Sequence, residues 1–364
     1  MASRLSEDSG RTVLLVEAGP VCGSYVYGKW PADLLNASNL ALDSHGWGFE
    51  DSSAARARVI GGCSSANACL VALPPPGDYA RWANMEIDGW DFAAQLPLMQ
   101  GCVRVGYPKL SNLNGPEWRP GVALAPRHVF EGVRWNAALA YLDVARAQTN
   151  LTILSDCIVD RVLIKNSKVM GVAVLSAEGV REIFSDTVIL SAGSYMSPTL
   201  LQRSGFGPSD LLQKLGIDLL CKLEGVGKDL GDHSGASIQY EMGVTSHLPT
   251  NGLPEVILHS RSSLALDQYW DSQTLIWHSG EIEASTLNFA HHAMESDSKG
   301  WVQALSPDPN VLPEIEQPWS NLSKHDLQLL AIIGIQVELA KWAPALKMGQ
   351  PPNSFPRRWE RINT

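Results

Sequence analysis

The chain has no Cys-x-x-Cys pair, no excess of positive charge and no apolar run near the roughly 18 residues that cross a bilayer. Each absence removes a class of function. The six cysteines, at 22, 63, 69, 102, 157 and 221, are scattered. They read as free thiols of a reducing compartment, neither a disulfide frame nor a zinc site. Lysines and arginines number 28 against 38 acids, a formal charge of −10. Nucleic acid is held by basic faces, so it is excluded as a partner. The N-terminus, MASRLSEDSGR, lacks the apolar core of a signal peptide, which points to the cytoplasm. Asn-x-Ser/Thr triplets at Asn36, Asn150 and Asn321 carry little weight in such a chain. Charged residues make up only 18% and hydrophobic ones 45%, enough apolar surface for a large core or two subdomains across 364 residues.

What is present begins with Val13–Val16. This apolar run ends in Glu17-Ala18-Gly19-Pro20, the pattern of a buried parallel strand and its break. An acid at the end of such a strand in a dinucleotide-binding sheet accepts from ribose hydroxyls. An ordinary strand-end acid looks the same. From Val21 to Ala57 the chain is loop-like, with Trp30 and Trp47 exposed-looking. Val59-Ile60 leads into a small-residue turn, Gly61 to Cys69, and Pro74-Pro75-Pro76 predicts a stiff spacer. Helical spacing of Val133, Ala137, Ala140, Tyr141 and Val144 predicts a helix over Glu131–Ala147. The runs LTIL, CIVDRVLI, KVMGVAVL, VREIF and TVIL predict short strands from Leu151 to Leu190. Val188-Ile189-Leu190 stops at Ser191-Ala192-Gly193, and Ser197-Pro198 opens a helical pattern that ends at Ser204–Pro208. Strand, small turn and Pro-started helix is how an α/β protein brings backbone close to a cofactor. Pro208–Leu215 predicts a short helix stopped by Gly216. Ser234 to Gly300 reads as sheet-containing, and Ser323 with Asp326 as a capping box for a helix from about His325 to Trp342.

Gly193-Ser194-x-x-Ser197-Pro198-x-Leu200-Leu201-x-x-Ser204-Gly205-Phe206-Gly207 resembles the second signature of the glucose–methanol–choline (GMC) oxidoreductases, with Phe206 where an aliphatic residue is usual. Arg58 to Asn67, RVIGGCSSAN, resembles the first signature, with Cys63 and Ala66 as departures. Gly225-Val226-Gly227-x-Asp229-Leu230-x-Asp232-His233, Asp78-Tyr79-x-x-Trp82, Gly89-Trp90 and Trp135–Leu142 also resemble that family. The resemblance is good from about Ser3 to Ser234, faint over Thr245–Lys299 and moderate over Gly300–Leu346.

That resemblance implies an α/β fold. An incomplete Rossmann-like FAD-binding domain would cover 1–234, with an inserted β-meander at about 151–184. A smaller, partial, sheet-containing substrate domain would cover 235–346, and 347–364 would be a loose tail. FAD is the implied cofactor, with Glu17 on its ribose and the backbone of Val159 on adenine. Gly61 and Gly62 would admit a flat ring. Cys63, Ser64 and Asn67 would line the same turn, Ser64 and Asn67 as hydrogen-bonding groups. A tight small-residue turn packed on a helix accounts for the same residues. Ala192 and Gly193 would approach the FAD, and Asp232-His233 would serve its site without being the base. The implied activity is oxidation of a small-molecule alcohol, a CH–OH donor, by hydride transfer to flavin. The alternatives are a non-catalytic fragment or decayed member of the family and, further off, a hydroxynitrile lyase relative.

Two parts of the pattern are missing. A Gly-x-Gly-x-x-Gly loop belongs roughly 20 residues ahead of the acid, and only sixteen residues precede Glu17. The first strand, the phosphate loop and most of the first helix are therefore expected to be absent, leaving apolar unpaired edges. The family's histidine base lies beyond a stretch resembling Ser306–Pro309 and the predicted helix at His325–Trp342, and the chain stops at Thr364 before it. None of His45, His128, His247, His259, His278, His291, His292 and His325 has a matching context, and the neighbours His291 and His292 diverge on any regular element. No catalytic residue and no metal ligand is assigned. The motifs name neither the alcohol nor the oligomeric state.

Overall fold

Val13–Val16 needs a partner for its backbone, and Leu151–Leu154 supplies it in a parallel pair, Val13 opposite Leu151 through Val16 opposite Leu154. This pairing belongs to a computed structural model that describes residues 1–72, 74, 76–85, 120–241, 256–265, 269–279 and 286–332. In chain order the strands are β1 (Val13–Val16), β2 (Gly121–Leu124), β3 (Val129–Phe130), β4 (Val133–Arg134), β5 (Leu151–Leu154), β6 (Ile158–Lys165), β7 (Lys168–Ser176), β8 (Gly179–Phe184), β9 (Phe206–Gly207), β10 (Cys221–Lys222), β11 (Gly235–Glu241), β12 (Val256–Ser260), β13 (Ser272–Ser279), β14 (Thr286–Ala293), β15 (Trp301–Gln303) and β16 (Glu314–Glu316). The fold is of the expected α/β class, and its strands fall into two units.

Unit 1 comprises Met1–Cys69, His128–Asp232 and Lys299–Ser320. Its parallel pair β1–β5 lies beside a core built on Leu34, Val59, Ile60, Ala138 and Leu139. Asn150 fastens the N-terminus to this pair. Its amide nitrogen donates to the carbonyls of Ser6, Asp8 and Arg11, at 3.0, 3.0 and 2.8 Å. β6, β7 and β8 form an antiparallel meander. Asn166 and Ser167, with φ of 50° and 58°, make the left-handed turn between β6 and β7.

The last predicted strand is not formed. Val188–Leu190 belongs to no ladder, and Ile189 is 47% exposed. An apolar run becomes a strand only where another strand meets its N–H and C=O groups. Among the described residues β1 has β5 on one edge and no strand on the other.

Other sequence expectations shift for local reasons. The helix over Glu131–Ala147 begins later. Glu131 and Gly132, at φ 52° and 78°, turn β3 into β4, and the Asn136 carboxamide oxygen then accepts from the N–H groups of Ala138 and Leu139. The helix of the second signature begins earlier, spanning Gly193–Arg203 with Pro198 inside it. Trp30 is buried, not exposed. Pro76 opens the helix Pro76–Asn84 and so is no spacer residue. The helix Ser209–Leu215 ends as expected at Gly216, in the left-handed conformation.

The helix of the second signature is held by Gln202. Its amide nitrogen donates to Val226 and Val302 C=O, each at 3.2 Å, and its oxygen accepts from Ala304 N–H at 2.8 Å. Gly227 leaves room for this amide, because a Cβ there would fall 2.6 Å from its nitrogen.

Unit 2 comprises Leu70–Arg127, His233–Ser298 and Asn321–Thr364. It carries an antiparallel sheet in the order β11–β14–β13–β12–β2. Ser323 accepts from Asp326 N–H at 3.0 Å, half of the expected capping box. The Asp326 carboxylate turns instead to Ser296 Oγ and to the N–H groups of Asp297 and Ser298, at 2.7 to 2.9 Å. Burial raises its pKa, but these hydrogen bonds outweigh burial and hold it below the ordinary value of 3.8. The folded pKa lies below the unfolded one, so the stabilisation is present above about pH 4 and is lost on acidification. Asp326→Asn presents an amide donor to these donors. It lowers the urea midpoint by the equivalent of about 2 kcal/mol at pH 7. An unchanged midpoint removes Asp326 as a structural anchor.

Candidate functional site

The end of β1 is the point where the candidate residues converge. Glu17 N–H donates to Leu154 C=O at 2.8 Å, and Glu17 C=O accepts from Cys157 N–H at 3.0 Å. These bonds set the acid beside the segment that becomes β6 and carries Val159. On its other side, Pro20 C=O accepts from Ile60 N–H at 3.1 Å. A Cβ on Gly19 would come within 2.0 Å of Arg58 C=O, so only glycine allows this approach. Glu17 is thereby placed one short step from Gly61 and Gly62.

The Glu17 carboxylate accepts from Gly19 N–H at 2.9 Å. Burial raises its pKa above 4.5, opposed by the N–H groups of Gly19 and Ala18 and by the charge of Arg58. Arg58 itself is tied down, its Nε donating to Ala18 C=O at 3.0 Å.

Gly61 and Gly62 adopt φ of 87° and 56° and lead into the 3-10 turn Gly62–Ser65. Open space lies where a Cβ on Gly62 would be, while a Cβ on Gly61 would meet Ser65 Oγ at 2.5 Å. Gly62 is thus the glycine that presents bare backbone. Ser64 has an internal role. Its hydroxyl donates to Gly61 C=O at 2.7 Å and accepts from Ala137 N–H at 3.0 Å. Asn67 is exposed and its carboxamide oxygen accepts from Cys69 N–H at 3.0 Å. Cys63 is exposed as a free thiol.

Ala192 and Gly193 are exposed at the start of the helix Gly193–Arg203. Gly193, at φ 83°, also has open space in place of a side chain. The far end of that helix grips β6. Arg203 donates from Nε to Asp160 C=O at 2.9 Å and from Nη2 to Val159 C=O at 3.3 Å. Ser204 Oγ accepts from Val162 N–H at 2.8 Å. The Val159 backbone is therefore fixed by the signature helix.

Asp232 is joined to the same frame by Arg56. Arg56 lies 3.7 Å from the Asp232 carboxylate and 4.4 Å above the Tyr195 ring. Tyr195 is buried in the first turns of the signature helix, its hydroxyl accepting from Gln317 Nε2 at 2.9 Å. His233 is exposed where unit 2 begins.

Unit 1 thus links Glu17 to the segments carrying Gly61–Gly62 and Val159, and ties Asp232 and the helix that begins at Gly193 to the same frame through Arg56 and Arg203. Four arginines to which the sequence reading gave no role make the joins: Arg56, Arg58 (the first residue of the first signature), Arg203 and Arg134. Arg134 is fully buried and donates to the carbonyls of Leu34 and Ser65 at 2.9 Å and to that of Asn39, bracing the turn that holds Gly62. A lone arginine inside an apolar run, as in VRWNAALA or LLQRSGF, was the available signal. Such a charge is buried only with partners. Gly89-Trp90, Cys102, His247 and the segment 347–364 lie outside the described residues.

No group of three His, Cys, Asp or Glu that could hold a metal occurs among the described residues. No described helix is long and apolar enough to cross a membrane.

Comparison with known proteins places this frame. The GMC oxidoreductase family model matches residues 91–235. Mouse mitochondrial choline dehydrogenase is 33% identical over 410 aligned positions, covering 86% of this chain and 66% of that protein. Its human counterpart is 29% identical, over 87% of this chain and 66% of that protein. The chain therefore spans slightly less than two thirds of these relatives. The structure of pyridoxine 4-oxidase from Mesorbium loti superposes with a TM-score of 0.80 at 22% identity, over 97% of this chain and 81% of that one. Formate oxidase gives 0.74 at 19% identity, over 95% and 78%.

Proposed function

We propose, from the premise that the chain belongs to the GMC oxidoreductase family of FAD-binding flavoproteins, that unit 1 holds FAD and unit 2 contributes to recognition of a small-molecule alcohol. The observation that carries this reading is the junction of Glu17 with the Gly61–Gly62 turn. A half-buried acid at the end of a parallel strand is one backbone hydrogen bond from a bare-backbone turn. Such an acid suits vicinal ribose hydroxyls. Gly62 and Gly193 offer open, side-chain-free backbone for a flat group.

In this reading Glu17 accepts from the ribose, the Val159 backbone faces adenine, and Gly62, Cys63, Ala192 and Gly193 border the ring system. Asn67, exposed beyond the same turn, keeps its amide hydrogens for the cofactor. Ser64 keeps the turn in shape, and Asp232, held by Arg56, joins the frame, with His233 next to it in the chain. FAD, when bound, supplies the hydride acceptor for oxidation of a CH–OH carbon. The described residues supply binding and orientation, and none is assigned as the proton acceptor. A reducing compartment such as the cytoplasm suits the chain, since Cys22, Cys69 and Cys157 are buried thiols and Cys63 and Cys221 exposed ones.

A second reading, a non-catalytic member of the family, is favoured by two observations among the described residues: Val188–Leu190 joins no ladder and β1 has one strand neighbour. One preparation separates the two. The purified chain should carry a visible flavin band that bleaches anaerobically with a panel of primary and secondary alcohols. A band that no alcohol bleaches selects the second reading. A colourless chain that takes up no added FAD sinks the first.

A further inference from the structure

Arg58 has hydrogen-bonding capacity that the fold does not use. Its Nε donates to Ala18 C=O at 3.0 Å, and its guanidinium carbon lies 5.0 Å from the Trp47 ring centroid. Neither terminal nitrogen has a hydrogen bond or an ion pair among the described residues. Glu17 is close enough for the charge of Arg58 to lower its pKa, yet the two make no direct ion pair. The carboxylate is anchored instead on the N–H groups of Ala18 and Gly19. One dipeptide, Ala18-Gly19, therefore pins an acid through its N–H groups and a guanidinium through a carbonyl.

The position of that guanidinium is fixed from several directions. Arg58 N–H donates to His45 C=O at 2.7 Å, and Trp47 N–H donates to Arg56 C=O at 3.0 Å. Gly19 packs directly against the Arg58 backbone. With one nitrogen bonded and one face covered by an indole, the two terminal nitrogens form an ordered fork. A guanidinium fork matches phosphate oxygens in pairs, and prior ordering lowers the entropy lost on binding.

An acid that accepts ribose hydroxyls beside a cation with an open fork complements a nucleoside 5′-phosphate, in which one methylene separates sugar from phosphate. We infer that Arg58 binds the phosphate of an adenosine 5′-diphosphate group whose ribose is held by Glu17. The inference rests on the proposed FAD site. It adds a side-chain cation that recognises phosphate.

Calorimetric titration of the full chain with adenosine and with ADP tests it. The wild-type chain should bind ADP about tenfold more tightly than adenosine, since a charge-assisted pair contributes at least that factor. Added salt should shrink the advantage. Arg58→Gln should bring ADP down to the affinity of adenosine and leave adenosine unchanged. Arg58→Lys should keep part of the advantage. Trp47→Leu leaves the charge but frees the guanidinium, and should weaken ADP several-fold with adenosine binding intact, which also reports that the site is folded. An ADP advantage that survives Arg58→Gln overturns the inference. Equal binding of adenosine and ADP by the wild-type chain overturns it and leaves the FAD reading standing. Binding of neither ligand overturns both.

Discussion

A strand, a Gly-x-Gly-x-x-Gly turn and a helix start joined ahead of Met1 should raise the flavin retained per chain by about tenfold or more. The edge of β1 on which no described strand lies motivates this expectation. Val13-Leu14-Leu15-Val16 has the composition of a strand paired on both sides, yet among the described residues only β5 pairs with it, and Leu14 is 38% exposed. Val188–Leu190 is a second apolar segment without a ladder. A parallel strand laid on β1 would satisfy one edge and offer the other to Val188–Leu190. Its following turn would deliver helix N–H groups toward phosphate, where they act on a full negative charge. Flavin absorbance per chain after gel filtration measures the effect. A control extension with the three glycines replaced by valine should form the strand without the gain. An unchanged flavin content in the glycine-bearing chain would show that the open edge does not limit cofactor binding.

The second large effect is on stability. Acidification from pH 6.5 to about 4 should destabilise unit 2 on the order of 1.4 kcal/mol per pH unit for each of two histidines. His259 and His291 are fully buried, and burial pushes both pKa values down to about 4. Their places in the register differ: His259 is opposite Gln273 and His291 opposite Thr274, so they occupy opposite faces of the sheet. His259 stacks on Trp270 at 3.7 Å and reaches Gln273 Oε1 at 3.1 Å, and His291 Nδ1 is 2.9 Å from Thr274 Oγ1. His259 Nδ1 and His291 Nε2 are buried without a partner. Protonation would place a charge where no acceptor exists. The unfolded chain takes up these protons near pH 6.5 and the folded chain only near 4, so stability is present above 6.5 and lost through that interval. Urea midpoints across pH 4–7 measure the slope. His259→Phe and His291→Leu should each flatten it, and a slope untouched in the double variant would assign the acid sensitivity to other groups.

The sequence carried the family and the identity of the local turns, because these depend on neighbouring residues. Glu17 after four apolar residues and the glycine pair at 61 and 62 are legible in the chain and sit together in the fold. The left-handed Gly216 after Leu215 is equally local. What failed was decided at a distance. TVIL has strand composition, but its ladder depends on a neighbour that no property of TVIL encodes. The start of the helix after β4 was misplaced because Val133 fits a helical period as well as a hairpin. Trp30 looked exposed among loop residues, yet it joins the core of Leu34, Val59 and Ile60. The arginines were the larger omission. Glycines and acids stand out in a motif, whereas Arg56, Arg58, Arg134 and Arg203 act on carbonyls and rings that lie far away in sequence, as Arg134 does with Leu34 and Arg56 with Tyr195.

Arg56 and Arg58 stand two apart on either side of the buried Ala57, which bridges to Gly46. Alternation along an extended segment directs both cations away from the face that buries Ala57. One reaches Tyr195 and Asp232, and the other Ala18 and Trp47. A single residue inserted or deleted between Arg56 and Arg58 would break the alternation that sends both guanidinium groups to one side of Ala57. Over evolutionary time this stretch can exchange side chains one by one, but it cannot change its length by one. Among descendants of this gene, its spacing should outlast its spelling.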